Sequence, residues 1–102
     1  MIEVAKRMDL KYHTGTSWTT DAPYRETLTE VKHYRDEGVL TVEMEAAAIF
    51  AIPKYLNIKA GAILTISDYL TEESWKLHFH LTEQHLHTLF MLAKKTLSSL
   101  LL

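Results

Sequence analysis

Apolar residues are spread along the chain in several distinct rhythms, and each rhythm predicts an element. From Thr82 to Leu101, the residues Leu86, Leu89, Phe90, Ala93, Leu97, Leu100 and Leu101 recur at helical spacing, which predicts an amphipathic closing helix. Met44 to Leu56 is Ala-rich and apolar on nearly all sides, the signature of a buried helix. Ala62-Ile63-Leu64-Thr65-Ile66 is a short continuous run that suits a strand covered on both faces. Val39-Leu40-Thr41-Val42 predicts another short strand, and Lys11 to Thr16 a third. Residues 1–9 read as the end of a helix. Thr27 to Glu37 is polar and compatible with a helix, and Gly38 stands where a C-terminal cap belongs. Ser17 to Tyr24 has the composition of a loop, and Pro23 disfavours helix at Ala22.

Strand, helix, strand, helix, strand, helix is the order of an α/β layered fold, here with a small, mostly buried sheet flanked by helices in one domain over residues 1–102. In open α/β sheets, ligands sit beyond the carboxyl ends of the strands. Two acidic clusters fall there: Glu43 and Glu45 after the strand at 39–42, and Asp68 after the run at 62–66. That placement predicts a polar small-molecule site.

Composition narrows the function classes. The chain has 102 residues, 47% of them hydrophobic, and a formal net charge of -2, with no basic block to bind nucleic acid or an acidic membrane. A core is possible at this length, where folding removes roughly 65% of the unfolded chain's surface. There is no cysteine, so disulfide and thiolate chemistry are excluded. The N-terminus lacks the apolar h-region of a signal peptide, and the apolar runs fall far short of the ~20 residues that span a bilayer. A cytoplasmic protein is expected. Of six histidines, His78 and His80 are two apart, as are His85 and His87, but no Cys or HExxH pattern joins them, so no metal site is expected.

The segment Val42-Glu43-Met44-Glu45-Ala46-Ala47-Ala48 admits two readings. Acidic residues at a helix start complement the positive end of its dipole by about 0.3–1 kcal/mol. A carboxylate there can also accept hydrogen bonds from two adjacent hydroxyls, as in the 2′ and 3′ hydroxyls of ribose, with a methionine as a soft apolar surface for the sugar. Ser67-Asp68 is likewise either a turn cap or an acid at the end of a buried run. Trp18 is either an anchor packed on Tyr24 or a flat ring for a base.

Val42–Ala48, followed after a helix and a strand by Ile66-Ser67-Asp68, resembles the nucleoside phosphorylase superfamily, which includes purine nucleoside phosphorylases, uridine phosphorylases and methylthioadenosine nucleosidases. Gly15-Thr16-Ser17-Trp18-Thr19-Thr20-Asp21 is similar to the segment that precedes the family's ribose motif, and the likeness runs from about Tyr12 to Tyr69. The resemblance implies a partial three-layer phosphorylase-like fold. It assigns Glu45 to the ribose hydroxyls and Met44 to the sugar face, with Glu43 beside them, and Trp18 to the base. Asp68, oriented by Ser67, would give a proton or a strong hydrogen bond to purine N7, which requires a carboxyl protonated near neutral pH. A further polar helper is expected after the aspartate, with Lys76, His78 and His80 as candidates. Uridine phosphorylases resemble one another in a Gln and Arg pair; here Pro23-Tyr24-Arg25-Glu26-Thr27 lacks the glutamine, which favours a purine and leaves Arg25 as either a polar contact or a solvated side chain. The implied partners are a nucleoside and phosphate as co-substrate, with no metal or organic cofactor.

Two departures bear on activity. Phosphorolysis needs an anion site, usually of glycine-rich amides and arginines. The family carries it upstream of the matched region, while Gly15, Gly38 and Gly61 and Arg7, Arg25 and Arg35 form no such loop here. The expectation is therefore the C-terminal portion of a phosphorylase domain, incomplete for catalysis, which forms a homo-oligomer or associates with a missing N-terminal part. Hydrolysis by a nucleosidase and a non-catalytic association module are the alternatives. The second departure is Pro53, which predicts a kink or an early stop near Ile52.

Overall fold

The structure is a computed structural model and describes residues 1–70, 75–77 and 79–101. It is mixed α/β: α1 (Ile2–Arg7), β1 (Ser17–Thr19), a 3-10 turn at Pro23–Arg25, α2 (Leu28–Asp36), β2 (Thr41–Glu43), α3 (Ala46–Leu56), β3 (Asp68–Leu70), β4 (Trp75–Leu77) and α4 (Phe79–Leu100). The chain divides into two compact units: Met1–His13 with Ile63–Tyr69 and Lys76–Leu102, and Thr14–Ala62 with Leu70–Trp75.

In the first unit, α1 lays Val4 and Ala5 against Leu92 of α4, with Met8, Leu10 and Ile63 packed around them. Burying a leucine such as Leu92 stabilises by about 2 kcal/mol. Thr96 is buried one turn along α4, and its hydroxyl donates to the Leu92 carbonyl at 2.8 Å, so the polar group is satisfied inside the helix. α1 ends at Arg7 with Met8 as its C-cap, and Asp9 beyond it takes a left-handed φ of 54° that short polar side chains tolerate.

The second unit is a strand–helix–strand–helix run. β1 and β2 are parallel, pairing Ser17 with Thr41, Trp18 with Val42 and Thr19 with Glu43. α2, which connects them, starts in a capping box. The Thr27 hydroxyl accepts the Glu30 N–H at 3.2 Å, and the Glu30 carboxylate accepts the Thr27 N–H at 3.4 Å. Gly38 follows the helix with φ 82°, the left-handed conformation its place requires. At Gly15 an added Cβ would run into the exposed Leu40 side chain, with Cγ only 2.9 Å away, so that leucine would have to shift.

Several elements differ from the sequence expectations. The first strand is Ser17–Thr19 rather than 11–16, and the second is shifted to Thr41–Glu43. Residues 61–67 are not a strand; β3 begins only at Asp68 and pairs with β4. A β-prone run becomes a strand only where a neighbouring backbone supplies ladder hydrogen bonds, and among the described residues β1 and β2 form a sheet of two strands. The sheet is half-buried rather than mostly buried. α3 is not a buried helix either: Ala46 is its buried residue, while Phe50 is 49% and Ile52 59% exposed. Nor does Pro53 stop it, since the helix runs on to Leu56 and ends at Asn57 with φ 55°. On an exposed helix, the Ile49 carbonyl that proline leaves without a donor can be hydrated instead.

Candidate functional site

The acidic motif lies where β2 passes into α3. Glu43 is the last residue of β2, Glu45 is the N-cap of α3, and Ala46 begins the helix. Period-two alternation puts Ser17, Thr19 and Glu43 on one face of the strand pair. There, Glu43 Oε1 accepts the Ser17 hydroxyl at 3.1 Å and the Thr19 hydroxyl at 2.5 Å. Its Oε2 accepts the backbone N–H groups of Glu45 at 2.7 Å and Ala46 at 2.6 Å. Thr19 Oγ1 in turn accepts the Ala47 N–H at 3.1 Å. The N-cap residue itself makes no side-chain cap bond, so the helix is capped from the preceding strand.

Electrostatics follow from this geometry. Partial burial pushes the Glu43 carboxyl up, but hydrogen bonds from Thr19, Ala46, Glu45 and Ser17 outweigh it and hold the pKa below the ordinary glutamate value. Glu43 is thus held as a carboxylate facing inward. Met44 and Glu45 are exposed, and the Glu45 carboxylate accepts the Met44 N–H at 3.3 Å. Chemically, the turn offers solvent one apolar thioether beside one accessible carboxylate.

Trp18, between Ser17 and Thr19 on β1, is turned by the same alternation to the opposite face. Its ring stacks on Tyr34 of α2, with centroids 4.3 Å apart and planes 29° apart. Trp18 does not anchor Tyr24, which is 86% exposed. Arg25 ends the 3-10 turn with its side chain exposed.

Ser67 and Asp68 belong to the first unit. Asp68 is half-buried at the start of β3, not beyond the end of a strand, and the Ser67 hydroxyl donates to its Oδ1 at 2.6 Å. Of the candidate helpers, His78 lies outside the described residues, as do the side chains of Lys76 and His80. Among the described residues no group of three His, Asp or Glu side chains is placed to hold a metal ion, and no helix is long and apolar enough to cross a membrane.

Three contributors were not singled out from the sequence: Ser17, Thr19 and Tyr34. The Ser-Trp-Thr alternation was the available signal for the first two, and it becomes readable once these residues are placed on a strand.

Comparison with known proteins gives a consistent picture. The family model described as the phosphorylase superfamily matches residues 1–98. The chain is similar to a purine nucleoside phosphorylase DeoD-type from Buchnera aphidicola subsp. Schizaphis graminum, with 33% identity over 68% of this chain and 29% of that protein. It is 33% identical to a guanosine phosphorylase from Halorubrum lacusprofundi over 74% of this chain and 32% of that protein. A DeoD-type purine nucleoside phosphorylase from Bacillus cereus is 38% identical over 60% of this chain and 26% of its own length. The chain therefore spans about three tenths of the length of the curated relatives it matches. No solved structure matches it.

Proposed function

This chain belongs to the phosphorylase superfamily, and from that premise we propose that it serves the phosphorolysis of a purine ribonucleoside to the free base and ribose 1-phosphate. The observation that carries this reading is the exposed Met44–Glu45 pair at the start of α3, held in a turn by bonds that leave the Glu45 carboxylate accessible. Glu45 takes the 2′ and 3′ hydroxyls of the sugar, which donate to its carboxylate, and Met44 covers the sugar face. The purine assignment is supported by the names of the relatives, purine nucleoside phosphorylase and guanosine phosphorylase.

In the reaction, the bond from the sugar C1′ to the base nitrogen breaks as a phosphate oxygen bonds to C1′. The departing base takes a proton at N7, and Asp68 is the proposed donor, held by the Ser67 hydroxyl. Trp18 is kept as the proposed stacking partner of the base, on the indole face opposite the one that Tyr34 covers. Arg25 is kept as a polar contact to the base. The reading needs no metal or organic cofactor. It places the sheet within a three-layer phosphorylase domain, and the exposed apolar residues of α3 support an assembled form, with a second copy or with the remainder of such a domain.

The test is release of base from inosine, guanosine and uridine with and without phosphate. Phosphate-dependent release from the two purines, slowed at sub-saturating nucleoside in Glu45→Gln, supports the proposal. Release without phosphate indicates a nucleosidase, and no release from any of the three indicates a non-catalytic module.

A further inference from the structure

The two glutamates of the motif are two residues apart, yet their carboxylates meet different surroundings. An ionised carboxylate offers about four acceptor positions. Those of Glu43 are filled by protein donors: the hydroxyls of Ser17 and Thr19 on Oε1, and the N–H groups of Glu45 and Ala46 on Oε2. A sugar hydroxyl has no vacant lone pair to donate to unless one of these bonds breaks. Glu45 is exposed and accepts one long bond, from the Met44 N–H at 3.3 Å.

We propose that Glu43 is a positioning residue: it bridges the hydroxyls of β1 and the first amides of α3, fixes the Met44–Glu45 backbone, and makes no contact with the sugar. The inference rests on the reading that Glu45 holds ribose. It divides one acidic motif into an inward carboxylate that shapes the turn and an outward one that binds. The same bonds have a second consequence. The N–H groups of Glu45, Ala46 and Ala47 are all engaged, the last by Thr19 Oγ1, so the start of α3 has no free amide pair for an anion. Phosphate is therefore bound elsewhere than at this helix N-terminus, although such ends often hold phosphates.

The experiment uses the full chain, isotope-labelled, and follows amide exchange and side-chain carboxyl resonances by NMR, with inosine as the probe. In the wild type, the Glu45 and Ala46 amide shifts should follow the titration of the Glu43 carboxyl. Glu43→Gln keeps the shape but replaces one acceptor oxygen with a donor, and it should speed exchange of the Glu45 and Ala46 amides about tenfold while leaving α2 unchanged. Inosine affinity should fall by a similar factor. Adding inosine to the wild type should move the Glu45 carboxyl resonance and leave that of Glu43 in place. Where Glu43→Gln does not fold, Thr19→Val, which keeps the branched shape and deletes the hydroxyl, should speed exchange at Ala47. A Glu43 resonance that moves on binding, or unchanged exchange at Glu45 and Ala46 in the variant, overturns the proposal. If the wild type binds no inosine, the ribose reading fails, and amide exchange alone then decides whether Glu43 holds the turn.

Discussion

The Thr19 hydroxyl donates to Glu43 Oε1 at 2.5 Å, and Thr19 Oγ1 accepts the Ala47 N–H at 3.1 Å. Thr19 and Glu43 are register partners in the parallel pair, so one hydroxyl couples β1, β2 and the first turn of α3. Little apolar burial supports this junction, since Ala46 is the buried residue of α3. Its geometry is instead specified by directional bonds to a charged group, each stronger than a neutral hydrogen bond.

That dependence on charge predicts a pH effect. The Glu43 pKa is lowered on folding, so its contribution to stability is complete above the unfolded value of 4.5 and is lost as pH falls through the folded one. Urea unfolding midpoints should fall as the solution is acidified below about pH 4.5, the ordinary glutamate range. In Glu43→Gln, this part of the decline should be absent, and stability at neutral pH should already be lower by about 1 kcal/mol. Equal acid sensitivity in both proteins contradicts the assignment.

The Trp18–Tyr34 stack ties β1 to α2. Tyr34→Ala should lower stability by about 1–2 kcal/mol, combining the lost ring contact with lost burial. In a Trp75→Phe background, which leaves Trp18 as the one indole, its fluorescence should shift to longer wavelength as water reaches the uncovered face. An unshifted spectrum means that Tyr34 does not cover the indole.

How much of this was legible in the sequence depends on whether a signal was local. The Gly38 position and the helix over 28–36 follow from chain-local chemistry, and the structure bears them out. The acidic motif was found at a strand–helix junction, as the strand-end argument requires. What the sequence did not disclose is non-local. Leu64 and Ile66 look like a buried strand, yet they are 45% and 44% exposed, because burial depends on what other chain segments cover them. The division of labour between Glu43 and Glu45 was equally hidden. It depends on β1 lying in register beside β2, a relation that no spacing within residues 42–48 encodes.

Leu92 is a buried aliphatic of α4 that meets Val4 and Ala5 of α1. Leu92→Ala should destabilise the first unit by about 2–4 kcal/mol through lost transfer energy and a residual cavity. Exchange protection in α1 should fall with it. A loss below ~1 kcal/mol indicates that α1 and α4 do not form a core.

Pro53 sits inside α3, where it supplies no N–H to the turn before it. Pro53→Ala restores that donor and removes the ring's crowding, so helix content by circular dichroism should rise and stability should increase by roughly 1–3 kcal/mol. A decrease shows that proline's restriction of the unfolded chain outweighs its effect in the helix.

Glu45 and Asp68 have different proposed roles, so their variants should fail in different kinetic terms. A group that grips the sugar in both ground state and transition state acts on KM, and Glu45→Gln should raise KM for a purine nucleoside about tenfold or more with a smaller change in kcat. A proton donor acts in the transition state. Asp68→Asn keeps a side chain that can donate a hydrogen bond but cannot transfer a proton, and it should lower kcat by roughly a hundredfold at nearly constant KM. The loss should shrink for nucleosides whose base leaves readily without protonation, because the donor is then needed less. Equal loss on good and poor leaving groups counts against Asp68 as the acid and leaves Ser67–Asp68 as a turn cap, held by its 2.6 Å bond.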